Sequence, residues 1–145
     1  MRASQQLRYA IYGVFDLAYN GAERSVALQE IGERQAIPAR YLEQIFQKLR
    51  RAGIVRAKRG PGGGYRLARP ADGISLADLV VAVQGRTLCR SETDVHCAES
   101  PDFVWELVEA ALGEALARRS IADLCREAAA RGMERAGGEP AMYEI

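Results

Sequence analysis

The sequence is poor in the residues on which most enzymes and most secreted proteins depend. Its 145 residues include one histidine and three cysteines. Without a second histidine, no set of nucleophile, base and orienting group can be assembled from the sequence spacing. An odd number of cysteines argues against a disulfide framework. These counts disfavour an enzyme, and a thiol- or metal-dependent catalyst that uses Cys97 and His96 is kept only as a rival interpretation.

Long apolar runs are also absent. No stretch approaches the roughly 18 consecutive apolar residues that a membrane-spanning helix needs. Residues 1–13 carry polar side chains where a signal peptide has its apolar centre. We therefore expect a cytoplasmic protein that has no membrane partner. With 48% hydrophobic residues, the chain can bury the core of one domain, or of one small domain plus an appendage.

Acidic residues are nearly missing from one stretch. Residues 40–69 contain nine lysines and arginines and a single acid, Glu43, so that this segment carries a net charge of +8. The whole chain carries +1, which leaves the other residues near −7. A basic segment of this density favours nucleic-acid binding. A protein-interaction module that does not bind DNA would leave the charge unexplained.

The basic stretch changes from a helical pattern to a hairpin pattern. Pro38 suits a helix start and Gly53 suits a helix end. Two strand-type runs, 54–58 and 65–69, follow and are joined by the glycine-rich residues 59–64, which predicts a β-hairpin. Four apolar residues of the helix share one face: Leu42, Ile45, Phe46 and Leu49.

Two helices are predicted before the basic stretch, over about residues 5–19 and 27–34. Helix, short helix, turn, helix and hairpin is the order of a winged helix-turn-helix domain. A helix about 10–12 Å across fits the DNA major groove, which is about 12 Å wide. The sequence therefore predicts that the third helix enters the groove, with the hairpin as a wing beside it.

Three further helices are predicted after the hairpin. Ser75 and Asp78 form a capping-box pattern for the first of them, which ends near Gly85. The second begins at Pro101. The third begins at Ser120, which with Asp123 repeats the capping-box pattern. The apolar stripe of the helix from Pro101 is broad for a surface helix, so that it packs either on its own core or on the same helix of a second subunit.

The loop between these helices holds the candidate metal ligands Cys89, His96 and Cys97. Thiolate and imidazole both suit iron and zinc, so these side chains can hold a metal ion or a cluster with one further ligand from elsewhere. Alternatively, the two thiols form a disulfide or react singly with an oxidant. As a third possibility, they bind nothing. Cys125 lies on an apolar helix face and is expected in the core.

Several motifs resemble those of the winged-helix bacterial transcription regulators typified by IscR, NsrR, RirA and CymR. They are Arg8-Tyr9-Ala10, Tyr41-Leu42-Glu43-Gln44 and Arg59-Gly60-Pro61-Gly62-Gly63-Gly64-Tyr65. The resemblance implies a dimeric protein that binds a pseudo-palindromic operator in double-stranded DNA, most often as a repressor. It also implies an iron–sulfur cluster in the loop before a long dimerisation helix, as many members have.

The resemblance also assigns site residues. Glutamate and glutamine at positions 43 and 44 would read bases, as a cytosine amino group and an adenine edge allow. Arg59 would enter the minor groove, and the wing glycines would allow close backbone approach. The DNA-binding set is Arg40, Tyr41, Glu43, Gln44, Gln47, Lys48, Arg59, Gly62 and Gly63.

The sequence departs from the family at the cluster ligands. Ser100 and Phe103 stand at the two positions where family members have a third cysteine, and Arg8 stands where some members have an acidic ligand. An iron–sulfur cluster would therefore need non-standard ligation by Cys89, His96 and Cys97. Otherwise we expect no cofactor.

Together these patterns predict a mainly α protein with a small β wing, acting as a dimeric, sequence-specific DNA-binding transcription regulator. Residues 1–72 are expected to form the winged helix-turn-helix domain. Residues 73–131 are expected to hold a helix, the cysteine-bearing sensor loop and the dimerisation helix, and residues 132–145 are expected to form a disordered tail. DNA affinity would respond to the cluster, metal or redox state of the loop, unless the loop senses nothing.

Overall fold

The computed structural model describes residues 4–21, 24–85 and 99–136. Six helices and one two-stranded antiparallel hairpin account for these residues, as predicted. In chain order the elements are α1 (Gln5–Asn20), α2 (Leu28–Gln35), α3 (Ala39–Arg51), β1 (Val55–Lys58), β2 (Gly64–Leu67), α4 (Leu76–Gln84), α5 (Phe103–Ala117) and α6 (Ile121–Ala130). A short 3-10 turn, Ala71–Gly73, precedes α4.

Local sequence signals set the ends of the first three helices. The Ser4 side chain accepts a hydrogen bond from the Leu7 amide at 3.2 Å and caps α1. α2 ends at Gln35, and the following Ala36 takes the left-handed conformation with φ 54°. Pro38 caps the start of α3, and Gly53, at φ 74°, follows its end. The three predicted helices are confirmed, with ends displaced by a residue or two.

One hydrophobic core joins α1, α3, α4 and α6. The apolar face predicted for α3 is buried, and Phe46 at its centre is fully covered. α1 crosses α3 at Gly13, where an added Cβ would lie 2.7 Å from the Phe46 ring. Ile74, Leu79 and Ile121 belong to the same core. The predicted boundary at residue 72 therefore does not separate two hydrophobic cores. The assignment of different functions to the two sides of that boundary stays a prediction.

The hairpin is tied to the loop before α2. β1 pairs with β2 in a register that puts Val55 opposite Leu67. Tyr65 makes two backbone hydrogen bonds with Val26, each 2.8 Å long, which extend the hairpin by an isolated bridge. A Cβ at Gly64 would lie 2.3 Å from the Val26 carbonyl oxygen, so only glycine fits there. The wing therefore projects in a fixed direction from the part of the chain that contains α1, α2 and α3, which is called the head below.

Asp16 is a buried carboxylate that the sequence pattern did not single out. Its side chain is 0% exposed and accepts hydrogen bonds from Arg34 Nη2 at 2.6 Å, Gln35 Nε2 at 2.9 Å and Asn20 Nδ2 at 3.2 Å. The hydrogen bond to Asp16 is the main reason that the pKa of Arg34 is raised above its usual value. This network fixes α2 against α1, and through the next turn it sets the direction of α3.

Both predicted capping boxes are present, at the starts of α4 and α6. Ser75 accepts from the Asp78 amide at 3.0 Å, and Ser120 accepts from the Asp123 amide at 3.1 Å. An isolated antiparallel bridge pairs Ser75 with Ser120. The two helices therefore start side by side, and α6 then packs against α1 and the 3-10 turn.

α5 differs from the other helices because none of its fifteen residues is buried. Phe103, Trp105 and Leu107 are 65%, 51% and 62% exposed. Leu116, near the end of the helix, packs against the core. The helix therefore touches its own chain along one side and leaves most of its apolar side chains uncovered.

Residues 132–136 lie against α1, which differs from the expectation of a disordered tail over 132–145. Tyr19 Oη donates a hydrogen bond to the Met133 carbonyl. The Arg135 guanidinium lies 4.9 Å from the centroid of the Tyr19 ring, and the Ala136 amide donates to Asn20 Oδ1 at 2.7 Å. The rest of that tail, 137–145, lies outside the described residues.

Candidate nucleic-acid interface

The outward face of α3 forms a single polar ridge. Arg40, Gln44, Gln47 and Arg51 follow one another at spacings of four, three and four residues, and all four are exposed. Side chains at this spacing stack along one side of a helix. The ridge points outward because the opposite side of α3 is held in the core by four buried apolar residues. Glu43 is exposed beside the ridge.

Arg40 and Tyr41 are joined to α1 by an aromatic contact. The Arg40 guanidinium carbon lies 4.9 Å from the Tyr41 ring centroid, and Arg40 Nη2 donates to Tyr41 Oη at 3.2 Å. The Tyr41 ring in turn lies 6.4 Å from the ring of Tyr9. Gln5 Nε2 donates to Tyr9 Oη at 2.5 Å. In the sequence, Tyr9 is recognisable only as part of the motif Arg8-Tyr9-Ala10.

Lys48 occupies a different place from the ridge. Its Nζ donates to Gln6 Oε1 at 3.1 Å and lies 3.5 Å from the Val83 carbonyl oxygen. Val83 is in the last turn of α4, where the helix dipole favours a positive charge. The structure thus gives Lys48 a role between α1, α3 and α4, and its contact with DNA stays a prediction.

The wing tip is exposed and built from glycine. Gly60 and Gly62 have φ values of 92° and 72°, which other residues rarely adopt. At Gly63 an added Cβ would lie 2.4 Å from the Lys58 carbonyl oxygen. The turn itself therefore requires glycines at positions 62 and 63, whether or not DNA approaches them. Arg59 is exposed at the base of this turn.

The basic residues of the two strands form a face of the hairpin that is not part of the predicted DNA-binding set. Arg56 lies directly opposite Arg66 in the hairpin register. Lys58 is two residues from Arg56, so the strand alternation puts all three on one face, and each is exposed. The alternation in residues 55–67 was the signal that could have found this face.

The candidate metal ligands Cys89, His96 and Cys97 lie outside the described residues. Within the described ranges, no group of three His, Cys, Asp or Glu residues could hold a metal ion. Phe103, at one of the two third-cysteine positions, is 65% exposed and has no donor atom. Cys125 is half-buried, and burial raises the pKa of its thiol, which disfavours the thiolate that metals bind.

The helix order, the bridged wing and the polar ridge define a winged helix-turn-helix transcription regulator. Residues 3–127 match the Rrf2 family model, which is described as iron-dependent transcriptional regulators. The chain belongs to the Rrf2 family. The resemblance to the family of IscR and CymR is thereby confirmed, and a transcription regulator of this family is not an enzyme.

Named relatives agree with this assignment. The transcriptional regulator IscR of Cereibacter sphaeroides is 49% identical over 86 residues, which cover 58% of this chain and 56% of that protein. The structure of T. potens IscR superposes with a TM-score of 0.76 at 30% identity and covers 99% of this chain and 97% of its own. CymR, the global cysteine regulator of B. subtilis, gives a TM-score of 0.73 at 29% identity, over 88% and 98% of the two chains.

In the described part of the chain, no helix is both long enough and apolar enough to span a bilayer. 

Proposed function

We propose that this Rrf2-family regulator is a homodimeric repressor that reads a pseudo-palindromic operator through α3 and the wing. The observation that carries the proposal is the ridge of α3 beside an exposed basic wing. Residues 40–69 hold a net charge of +8, and the described structure collects much of it on these two elements. Phosphate contacts supply affinity and base contacts supply specificity.

Glu43 and Gln44 are the proposed base readers. Both are exposed in the first half of α3, at the end of the helix that a groove-docked recognition helix presents to base edges. A carboxylate accepts from the cytosine amino group, and a glutamine amide pairs with adenine. Arg59 is proposed to enter the minor groove from the wing turn, where A·T-rich tracts attract arginine.

The proposed dimer forms through α5. Phe103, Val104 and Leu107 lie on one side of this helix and are 65%, 37% and 62% exposed. Large exposed apolar patches mark interaction sites in soluble proteins. A second copy of the same helix offers a matching apolar surface, and a two-fold pair of heads fits half-sites about 34 Å apart.

The proposed sensor is the segment that joins α4 to α5. α4 ends at Gln84 and α5 begins at Phe103, so a change in the loop acts on the link between the head and the dimerisation helix. Two thiols and an imidazole fit iron or zinc as donors, and Cys89, Cys97 and His96 are the proposed ligands. A bound iron–sulfur cluster would supply one-electron redox chemistry. The protein residues would hold the group and transmit its state.

Two alternatives for the loop remain within the proposed regulator. In one, Cys89 and Cys97 act as a thiol pair that responds to oxidants without a metal. In the other, the loop senses nothing. Anaerobic purification followed by an absorption spectrum and metal analysis separates the proposed cluster from these two alternatives. Bound iron and visible absorbance that are lost in Cys89→Ser support the cluster, whereas colourless, metal-free protein leaves only the alternatives.

The DNA proposal is tested by fluorescence anisotropy with labelled duplexes selected from a random pool. We expect the logarithm of the association constant to fall linearly with the logarithm of the salt concentration, by about 0.9 per phosphate contacted. A scrambled duplex of the same length serves as the control for specificity. Binding that is absent, or that does not change between low and moderate salt, contradicts the proposal.

A further inference from the structure

We propose that Tyr9 and Tyr41 position the Arg40 guanidinium on a DNA backbone phosphate, so that Arg40 fixes the register of the head rather than reading a base. The inference rests on the proposed DNA-binding function and deepens it. It assigns a role to Tyr9, which lies on α1 and outside the recognition helix. It also separates Arg40 from the base-reading part of the ridge.

The Arg40 guanidinium is turned away from the other side chains of the ridge and towards Tyr41. By helical spacing, Arg40 lies in line with Gln44. Its guanidinium nevertheless lies over the ring of Tyr41, at 4.9 Å from the centroid, and donates to the Tyr41 hydroxyl at 3.2 Å. Since the Tyr41 ring faces Tyr9 of α1 at 6.4 Å, the charge is held at the junction of α1 and α3. The edge of the recognition helix, where a sugar–phosphate strand borders the groove, is the place for a phosphate contact.

The remaining chemistry of Arg40 suits a phosphate. A guanidinium has five N–H donors in a planar fork. The ring lies against the guanidinium, and one donor is used on the Tyr41 hydroxyl, so most donors are left for a bidentate contact with phosphate oxygens. An exposed arginine loses rotamer entropy when it binds. A ring platform that already restrains it reduces that cost, which is the effect of preorganisation.

Tyr9 is a positioning residue because its ring acts through Tyr41. Gln5 Nε2 donates to Tyr9 Oη at 2.5 Å, which holds the Tyr9 side chain in the first turns of α1. Tyr9 also packs against the core with part of its surface. The platform is therefore anchored to the body of the head, whereas Gln44 and Gln47 are simply exposed on α3.

A double-mutant cycle in the full-length protein tests the role of Tyr9. The variants are Arg40→Gln, Tyr9→Leu and the double variant, each measured against the selected duplex and a random-sequence duplex. Tyr12→Leu is the matched control, since Tyr12 is an exposed tyrosine about one turn further along α1. Arg40→Gln should weaken both duplexes by about tenfold and lower the salt slope by about 0.9.

Tyr9→Leu should weaken both duplexes by about two- to fivefold, and it should cost nothing further in the Arg40→Gln background. Tyr12→Leu should leave both affinities unchanged. A Tyr9→Leu loss that is equal in both backgrounds, a loss confined to the selected duplex, or no loss at all overturns the inference. If the Tyr9→Leu variant does not fold, the double-mutant cycle is measured with Tyr41→Leu in its place. A wild-type protein that binds neither duplex overturns the proposed function itself.

Discussion

α3 and α5 both carry an apolar stripe, but α3 buries its stripe within the chain and α5 leaves most of its stripe exposed. α3 buries four of its thirteen residues inside its own chain and exposes arginines and amides. α5 buries none of its fifteen residues and exposes two aromatic rings and a leucine. The head that carries α3 is therefore complete within one chain. α5 instead presents an apolar surface that stays largely exposed among the described residues.

The outer surfaces of the two helices suit different neighbours. Guanidinium and amide groups are stable in water and gain from a polyanion. Exposed phenylalanine, tryptophan and leucine side chains gain only when water is removed from them. The comparison thus separates the surface that is expected to read DNA from the surface that is expected to pair two chains.

The largest expected effect is a loss of folding stability when the buried ion pair of the head is removed. Asp16→Asn removes a carboxylate that is 0% exposed and bound by Arg34 at 2.6 Å, and it leaves the 23% exposed Arg34 side chain with only its 3.3 Å pair to Glu30. We expect the free energy of unfolding in urea to fall by about 3 kcal/mol. Asp72→Asn, at an exposed aspartate, is the control and should change it little. A similar small change in both variants would show that the buried network does not hold the head together.

The second expected effect is a weaker dimer when the apolar surface of α5 is changed and the head is left unchanged. Leu107 is 62% exposed, so Leu107→Lys should leave the folded chain intact but place a charge in the proposed dimer interface. We expect the dimer dissociation constant to rise by about a hundredfold, measured by sedimentation equilibrium. Tyr12→Lys places a charge on an exposed side chain of α1 and should leave the mass unchanged. If Leu107→Lys remains as dimeric as the wild type, α5 is not the interface.

A third effect compares two basic residues of the head. Arg59→Ala should weaken operator binding by about tenfold and lower the salt slope, because an exposed wing charge is removed. Lys48→Gln is the comparison variant, because Lys48 Nζ is already held by Gln6 Oε1 and the Val83 carbonyl oxygen, and it should lower the slope less than Arg59→Ala does. An equal fall in slope for both variants would show that Lys48 contacts DNA as Arg59 does.

The smallest expected effect concerns pH and a surface ion pair of the head. The hydrogen bond from Arg24, more than the second pair with Arg34, lowers the pKa of Glu30 below its ordinary value of 4.5. A lowered pKa in the folded state stabilises the fold above the unfolded pKa, and this stabilisation is lost as the pH falls through the folded pKa. Since the Glu30 side chain is 41% exposed, the contribution should be about 0.5 kcal/mol or less.

Urea unfolding between pH 3 and pH 7, at about one-unit intervals across the carboxylate range, measures this effect. Glu30→Gln should be less stable than the wild type above pH 4.5, the ordinary pKa of this group, and its stability should converge with that of the wild type as the pH falls through the lowered folded-state pKa. Glu33→Gln is the control, because Glu33 accepts only a neutral hydrogen bond from Gln29 among the described contacts. Parallel curves for wild type and Glu30→Gln would remove the ion pair from the pH dependence.

Local patterns predicted most of the fold. The spacing of Leu42, Ile45, Phe46 and Leu49 predicted the buried side of α3, and the Ser75 and Ser120 motifs predicted two capped helices. These signals are local because a helix face and a cap involve residues within four positions of each other. The Asp16–Arg34 pair, eighteen residues apart, carried no such signal, since its partners meet only when α1 and α2 pack.

The candidate site was predictable in type but not in detail. The high density of positive charge and of glycine in residues 40–69 predicted DNA binding from composition alone. Spacing could not show that Lys48 turns towards Gln6 and α4, or that Tyr9 of α1 meets Tyr41 of α3. Both facts depend on which helix lies beside α3, and helix neighbours are decided by packing.

The sequence by itself determined a basic helix-and-hairpin module, its caps and its turn glycines, because each follows from charge, period or backbone conformation over a few residues. The tertiary structure decided which charges remain on the surface, which carboxylate is buried, and which apolar helix is left uncovered. These outcomes require elements far apart in the chain to compete for one core. Among the described residues, α1, α3, α4 and α6 supply buried side chains to that core, whereas α5 only packs against it in part, through Leu116.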